Sequence, residues 1–267
     1  MATSSSLDLS AELAVAQEAA RNAGAYLLQR LGTAQVQTFK AARDAQLDVD
    51  LAAESLLLDA IRSTFPEDAI LSEEADSSIQ AAPRRWIIDP LDGSFNFQHN
   101  SALFGVAIAL QIGGTTRLGV IYLPTTDEMY TVILGQGACC NGLPFRISRI
   151  ARLSEAIVHV SDFSPSGNAE VNAQRLQIMS ALAPEVGRIR MIGTAAGDFA
   201  WLARGRADGL IMYNTYPWDI EAGALLVEEA GGIVTRVLLP DGSSAYIGSN
   251  RLLHQDILTL LSAKPEL

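Results

Sequence analysis

Acidic residues are concentrated at Asp50, at Glu73-Glu74, at Asp89 and Asp92 within Asp89-Pro-Leu-Asp-Gly-Ser94, and at Asp219 behind Trp218. Asp89 and Asp92, three residues apart around a proline bend, tend to point the same way. Their repulsion opposes ionising both, and a divalent cation removes that opposition. Magnesium takes a few carboxylates, a backbone carbonyl, waters and phosphate oxygens. The Leu91 carbonyl, fixed by the bend, is a natural extra ligand. Gly93 lets the backbone approach a phosphate, and Ser94 offers a hydroxyl beside a metal-bound water. Each piece alone has an ordinary reading. Asp-Pro and Asp-Gly make turns, Glu73-Glu74 makes a solvated pair, Asp219 caps a helix and Asp50 charges a first turn. Only the combination points to chemistry. His99, His159 and His254 lack metal-ligand spacing and read as surface or core, and Cys139-Cys140 as small buried hydrophobes.

Regular elements must position these acids. Leu13, Ala16, Ala20, Ala23 and Leu27 form an apolar stripe on a helix over Leu9–Leu31, with Gly32 as its stop. A second helix runs from Asp48 to Phe65 before Pro66. Short strands at Ala69–Ser72 and Trp86–Ile88 lead into the two acidic loops. Val106–Ile112, Leu118–Leu123 and Glu128–Leu134 read as strands, split by Gly113-Gly114 and by 124–127, with a hairpin turn at Asn141-Gly142. Gly135-Gln-Gly-Ala138 reads as a turn. Beyond it, strands at Ile157–Ser161, Ile189–Ile192, Gly209–Met212 and Ile233–Val237 alternate with helices at Ala173–Leu182, Ala195–Ala203, Asp219–Ala230 and Asn250–Ser262. Strands flanked by helix pairs predict a layered α/β sandwich with two halves, residues 1–147 and 148–267.

The chain has 267 residues, 49% of them hydrophobic and 18% charged, enough for a sizeable core. Its formal charge of −11 argues against general nucleic-acid binding, whereas a bound cation can still mediate contact with phosphate. The two cysteines are adjacent and build no disulfide framework, which suits a reducing compartment. Residues Met1–Ser10 lack the basic and apolar parts of a signal peptide, and no apolar run reaches membrane-spanning length. The expectation is a cytoplasmic protein with no membrane or nucleic-acid partner.

The combined pattern resembles the inositol monophosphatase family, within a wider group that includes fructose-1,6-bisphosphatases and nucleotide 3′-phosphatases. One signature stands as Trp86-Ile-Ile-Asp-Pro-Leu-Asp-Gly-Ser-Phe-Asn-Phe97. Another stands as Trp218-Asp-Ile-Glu-Ala-Gly-Ala224, followed by Glu229-Ala-Gly-Gly232. Gly193-Thr-Ala-Ala196 lies between them and Glu73-Glu74 upstream, in family order from about Leu9 to Leu261. The resemblance implies an α-β-α-β-α layered sandwich and hydrolysis of a small phosphate monoester by a metal-activated water. It implies two magnesium ions with a weaker third, lithium sensitivity and a homodimer. Glu73, Asp89 and the Leu91 carbonyl would hold the first ion, and Asp89, Asp92 and Asp219 the second. Glu73 and Asp50 would support the third. Ser94 with Glu73 would activate the water, and the Gly93 and Ser94 amides would grip the phosphate. Asp92, Asp219, Gly193, Thr194 and Ala195 would line the pocket for the substrate.

The chain departs from the family pattern in places. Ser94 stands where many relatives carry threonine and keeps the hydroxyl. Leu47 replaces a threonine before Asp50, which weakens the third site. Met212, followed by Tyr213 and Asn214, stands where animal members carry a glutamate for inositol hydroxyls, which weakens inositol phosphate as the preferred substrate. Fructose-1,6-bisphosphate, histidinol phosphate and nucleotide 3′-phosphates are alternative substrates, though Phe95-Asn96 after Ser94 looks more like the inositol branch. A regulatory, protein-binding role is the reading from another class.

Overall fold

Ala16, Ala20, Ala23 and Leu27 are buried along one side of α1 (Ser10–Arg30), the stripe their spacing predicts. The computed structural model describes residues 7–41, 44–74, 82–164, 166–213, 216–239, 242 and 244–262; Asn214 lies outside them. After α1 come β1 (Val36–Ala41), β2 (Asp44–Leu47), α2 (Asp48–Thr64), β3 (Ala69–Ser72), β4 (Arg84–Asp92) and α3 (Ser94–Gln98). Then follow β5 (Gly105–Ile112), β6 (Thr115–Leu123), β7 (Glu128–Ile133), β8 (Gly137–Cys140) and β9 (Leu143–Pro144). The chain continues through β10 (Ile157–Val160), α4 (Ala169–Leu182), β11 (Arg188–Arg190), α5 (Ala195–Ala203), β12 (Gly209–Met212), α6 (Pro217–Glu229), β13 (Gly232–Leu238), β14 (Ser244–Asn250) and α7 (His254–Ser262).

β3 to β9 form a seven-stranded sheet in chain order. β4 runs parallel to β3, and the rest is an antiparallel meander. The second sheet has five strands in the order β11-β10-β12-β14-β13. α1 and α2 cover one face of the first sheet, and α5 and α6 cover the other and also touch the second sheet. α4 and α7 close the far side. The layers are therefore α-β-α-β-α.

Side-chain alternation explains the stacking. Ile88 and Ile108 pack with Leu27, Leu57 and Ile61, whereas Ile87, Ala107 and Ala109 face Phe199, Leu225 and Leu226. Val158, Ile211 and Ile247 pack with Ile178, Leu182 and Ile257 in a third cluster. Small residues bring the middle helices close: a methyl group on Gly119 would lie 3.1 Å from the Ala222 backbone.

Several elements differ from the sequence reading. The β1–β2 hairpin has no clear alternation. Asn141 and Gly142 do turn β8 into β9, both with positive φ. Gly137 and Ala138, read as a turn, begin β8. Asn250 ends β14 instead of opening the last helix, which starts at His254, because β14 pairs with both β12 and β13.

Candidate active site

The acids gather where β4 meets the start of α6. On a regular strand, residues three apart point to opposite faces. Here Asp89 pairs with Ala107 and Asp92 with Gly105, so β4 spends one residue more than β5 between the two pairs. That bulge, centred on Pro90-Leu91, turns both carboxylates to one side. The Leu91 N–H donates to Asp89 Oδ1 at 3.1 Å and tightens the bend, while the Leu91 side chain is buried in the core cluster to which α1 and α2 contribute.

β3 lies parallel to β4 with Ser72 opposite Ile88. The Glu73 N–H extends that pairing to the Ile88 carbonyl at 3.3 Å, which sets Glu73 beside Asp89. Asp219 comes from the first turn of α6, which opens on Pro217, and its charge suits the positive end of that helix. One oxygen each from Asp89, Asp92 and Asp219 lies within 4.8 Å of the others. Asp89 is 1% and Asp92 8% exposed. Burial pushes the Asp89 carboxyl well above the usual carboxylate range, and Glu73, Asp92 and Asp219 push it further.

Asp92 is held differently. Burial raises its carboxyl, while the Thr194 hydroxyl and the Ala196 and Ala195 amides oppose the rise. Thr194 Oγ1 donates to Oδ2, the Ala196 N–H to Oδ2 at 2.8 Å and the Ala195 N–H to Oδ1 at 3.0 Å. Thr194 also caps α5, accepting from the Gly197 N–H at 3.1 Å. Thr194 and Ala195 thus face Asp92, and the N-terminus of α5 serves as its cradle.

Gly93 has φ +84°, and a methyl group there would lie 3.0 Å from the Leu103 carbonyl oxygen and 3.2 Å from that of Gly193. Only glycine suits this backbone. Ser94 opens α3. Asn96, noted in sequence within the first signature and, with Phe95, as a mark of the inositol branch, ties the two loops together. Its Nδ2 donates to the carbonyls of Leu103, Ile192 and Gly193 at 2.8, 2.7 and 3.1 Å. Asp50 is buried in the first turn of α2, where its Oδ2 accepts the Leu47 N–H at 2.6 Å. Gln46 donates to Glu74. Met212 is 2% exposed and packs between the sheets. His159 and His254 are buried and His99 is exposed.

The donor set is all oxygen, crowded and negative, and it fits a hard divalent cation better than a thiolate- or imidazole-seeking metal. Neutralising Asp89, Asp92 and Asp219 together relieves their mutual repulsion. Among the described residues, no helix is long and apolar enough to cross a membrane.

The inositol monophosphatase family model matches residues 8–263 of the chain. The Nus factor SuhB of Salmonella typhimurium is 37% identical over 226 residues, 84% of each chain. The solved extragenic suppressor protein suhB from Bartonella henselae is 32% identical with a TM-score of 0.88, over 96% of this chain and 100% of that one. Inositol monophosphatase from Anabaena is 32% identical with a TM-score of 0.82, over 98% of this chain and 99% of that one.

Proposed function

The chain belongs to the inositol monophosphatase family, and on that premise we propose that it is a magnesium-dependent phosphatase acting on a small phosphate monoester. The convergence of Asp89, Asp92 and Asp219 within 4.8 Å carries this reading. Glu73, Asp89 and the Leu91 carbonyl would hold one magnesium ion, and Asp89, Asp92 and Asp219 a second, with Asp50 supporting a weaker third. Bound magnesium supplies charge neutralisation at the phosphate oxygens and lowers the pKa of the attacking water.

The protein groups do the rest. The backbone amides of Gly93 and Ser94 grip the phosphate. Glu73 and Ser94 orient the water, with a Glu73 carboxylate oxygen receiving its proton. Thr194, Ala195 and Ala196 fix Asp92 so that its oxygens stay turned into the site. Gly193 and its neighbours border the alcohol half, and burial of the acids keeps bulk water away. A homodimer is part of the same reading, checked by sedimentation.

Phosphate release from myo-inositol 1-phosphate, fructose-1,6-bisphosphate, histidinol phosphate and a nucleotide 3′-phosphate, with and without magnesium, tests the proposal. Turnover of none of them would sink it for these substrates. The name Nus factor carried by the Salmonella relative supports a second reading, a partner-binding role beside catalysis. Partner binding that survives Asp92→Asn, in a wild-type protein with negligible turnover, would favour it.

A further inference from the structure

Met212 is enclosed by core residues and offers nothing to a ligand, so another group must face the alcohol half of the ester. Asp162 stands two residues beyond the end of β10 and is exposed. A methyl group on Gly193 would lie 3.3 Å from Asp162 Oδ2 and 3.0 and 3.2 Å from the two polar atoms of the Asn96 amide. A side chain at Gly193 would therefore crowd both groups, and its absence lets the Asp162 carboxylate and the Asn96 amide close on the Gly193 backbone from two sides. The Gly193 carbonyl in turn lies 3.2 Å from where a methyl group on Gly93 would stand. The Asp162 carboxylate is thus one residue, Gly193, away from the loop assigned to the phosphate.

Asp162 is presented there from a braced backbone. Arg175, on α4, donates from Nη1 to the Asp162 carbonyl. Its guanidinium carbon sits 4.4 Å from the centroid of the Tyr213 ring, and Tyr213 is itself buried. Among the described residues, the Asp162 carboxylate accepts no hydrogen bond. A carboxylate with free lone pairs beside a substrate accepts from hydroxyl donors and repels a second anion.

We propose that Asp162 is a specificity-determining residue that accepts a hydrogen bond from a hydroxyl on the alcohol half, so that monophosphates of hydroxyl-rich alcohols are preferred over bisphosphates. The inference rests on the phosphatase reading above and extends it to substrate class. Arg175 and Tyr213 are positioning residues that hold the Asp162 backbone.

The test compares kcat/KM for myo-inositol 1-phosphate with that for phenyl phosphate, which carries no donor, in wild type, Asp162→Ala and Asp162→Asn. The ratio should fall at least about tenfold in the alanine variant, mainly through KM, and less in the asparagine variant, which keeps an acceptor oxygen. Fructose-1,6-bisphosphate should gain relative to the monophosphate. An unchanged ratio, with phenyl phosphate still hydrolysed, overturns the role of Asp162 and leaves the phosphatase reading intact. Ethanolamine phosphate separates donor types: if its turnover alone depends on Asp162, the hydroxyl assignment is wrong. If no ester is hydrolysed, the phosphatase reading fails, and calorimetric binding of myo-inositol 1-phosphate in magnesium decides about Asp162. Binding weakened about tenfold by Asp162→Ala supports the role, and equal or absent binding overturns it.

Discussion

Thr194 donates its hydroxyl to Asp92 across 102 residues of sequence, and the same oxygen accepts the Gly197 N–H that caps α5. One side chain thus begins a helix and fixes a candidate metal ligand. Thr194→Val keeps the shape and removes both bonds. It should lower stability by about 2 kcal/mol in urea unfolding and weaken magnesium binding in a calorimetric titration. Unchanged magnesium affinity would separate the cap from the site.

Magnesium itself should stabilise the fold. At a hundredfold excess over its dissociation constant it should add about 2.7 kcal/mol, and chelation should reverse the gain. Asp89→Asn removes one charge from the crowd around Glu73, Asp92 and Asp219. The variant should therefore be more stable than wild type without metal and show little of the magnesium increment. Thermal melts with and without chelator measure both effects.

β3, α5 and β12 fall where local pattern places them, because their apolar runs and flanking glycines and prolines are local signals. The bulge that turns Asp89 and Asp92 together is a matter of register against β5, and no residue within β4 announces it beyond Pro90. Asp89, Asp92 and Asp219 were legible because their motifs are local and their combination is rare. Asp162 and Asn96 were not, since their importance depends on which loops the fold brings to Gly193. His159 read as a plain surface or core histidine. It is core, but its Nδ1 meets Asp198 Oδ1 at 2.7 Å with both groups buried, a partnership 39 residues apart.

That pair gives a pH prediction. Burial pushes the Asp198 carboxyl up to about 6 from an ordinary 3.8, with His159 opposing and Asp92 and Asp162 adding to the rise. A raised carboxyl favours the fold when protonated. Its contribution is complete below the unfolded value of 3.8 and is lost as pH rises through about 6. Asp198→Asn does not titrate, so its stability relative to wild type should improve by about 2 kcal/mol between roughly pH 4.5 and pH 7. A pH-independent difference in urea unfolding would contradict this.

Packing above the site is equally exposed to test. A methyl group on Gly223 would lie 2.3 Å from the Phe199 ring, so α5 and α6 cannot keep their spacing in Gly223→Ala. Overpacking costs about 1–3 kcal/mol, against a helix-propensity gain of about 1 kcal/mol. The variant should melt lower and bind magnesium more weakly, because α6 carries Asp219.

The most direct measurement is phosphate release from myo-inositol 1-phosphate and phenyl phosphate by wild type and Asp219→Asn, with magnesium and with chelator. Turnover in wild type with magnesium, lost with chelator and lowered at least about a hundredfold by the substitution, is the predicted result. Turnover indifferent to magnesium, or retained by Asp219→Asn, would contradict the assignment of these carboxylates as the metal site of a phosphatase.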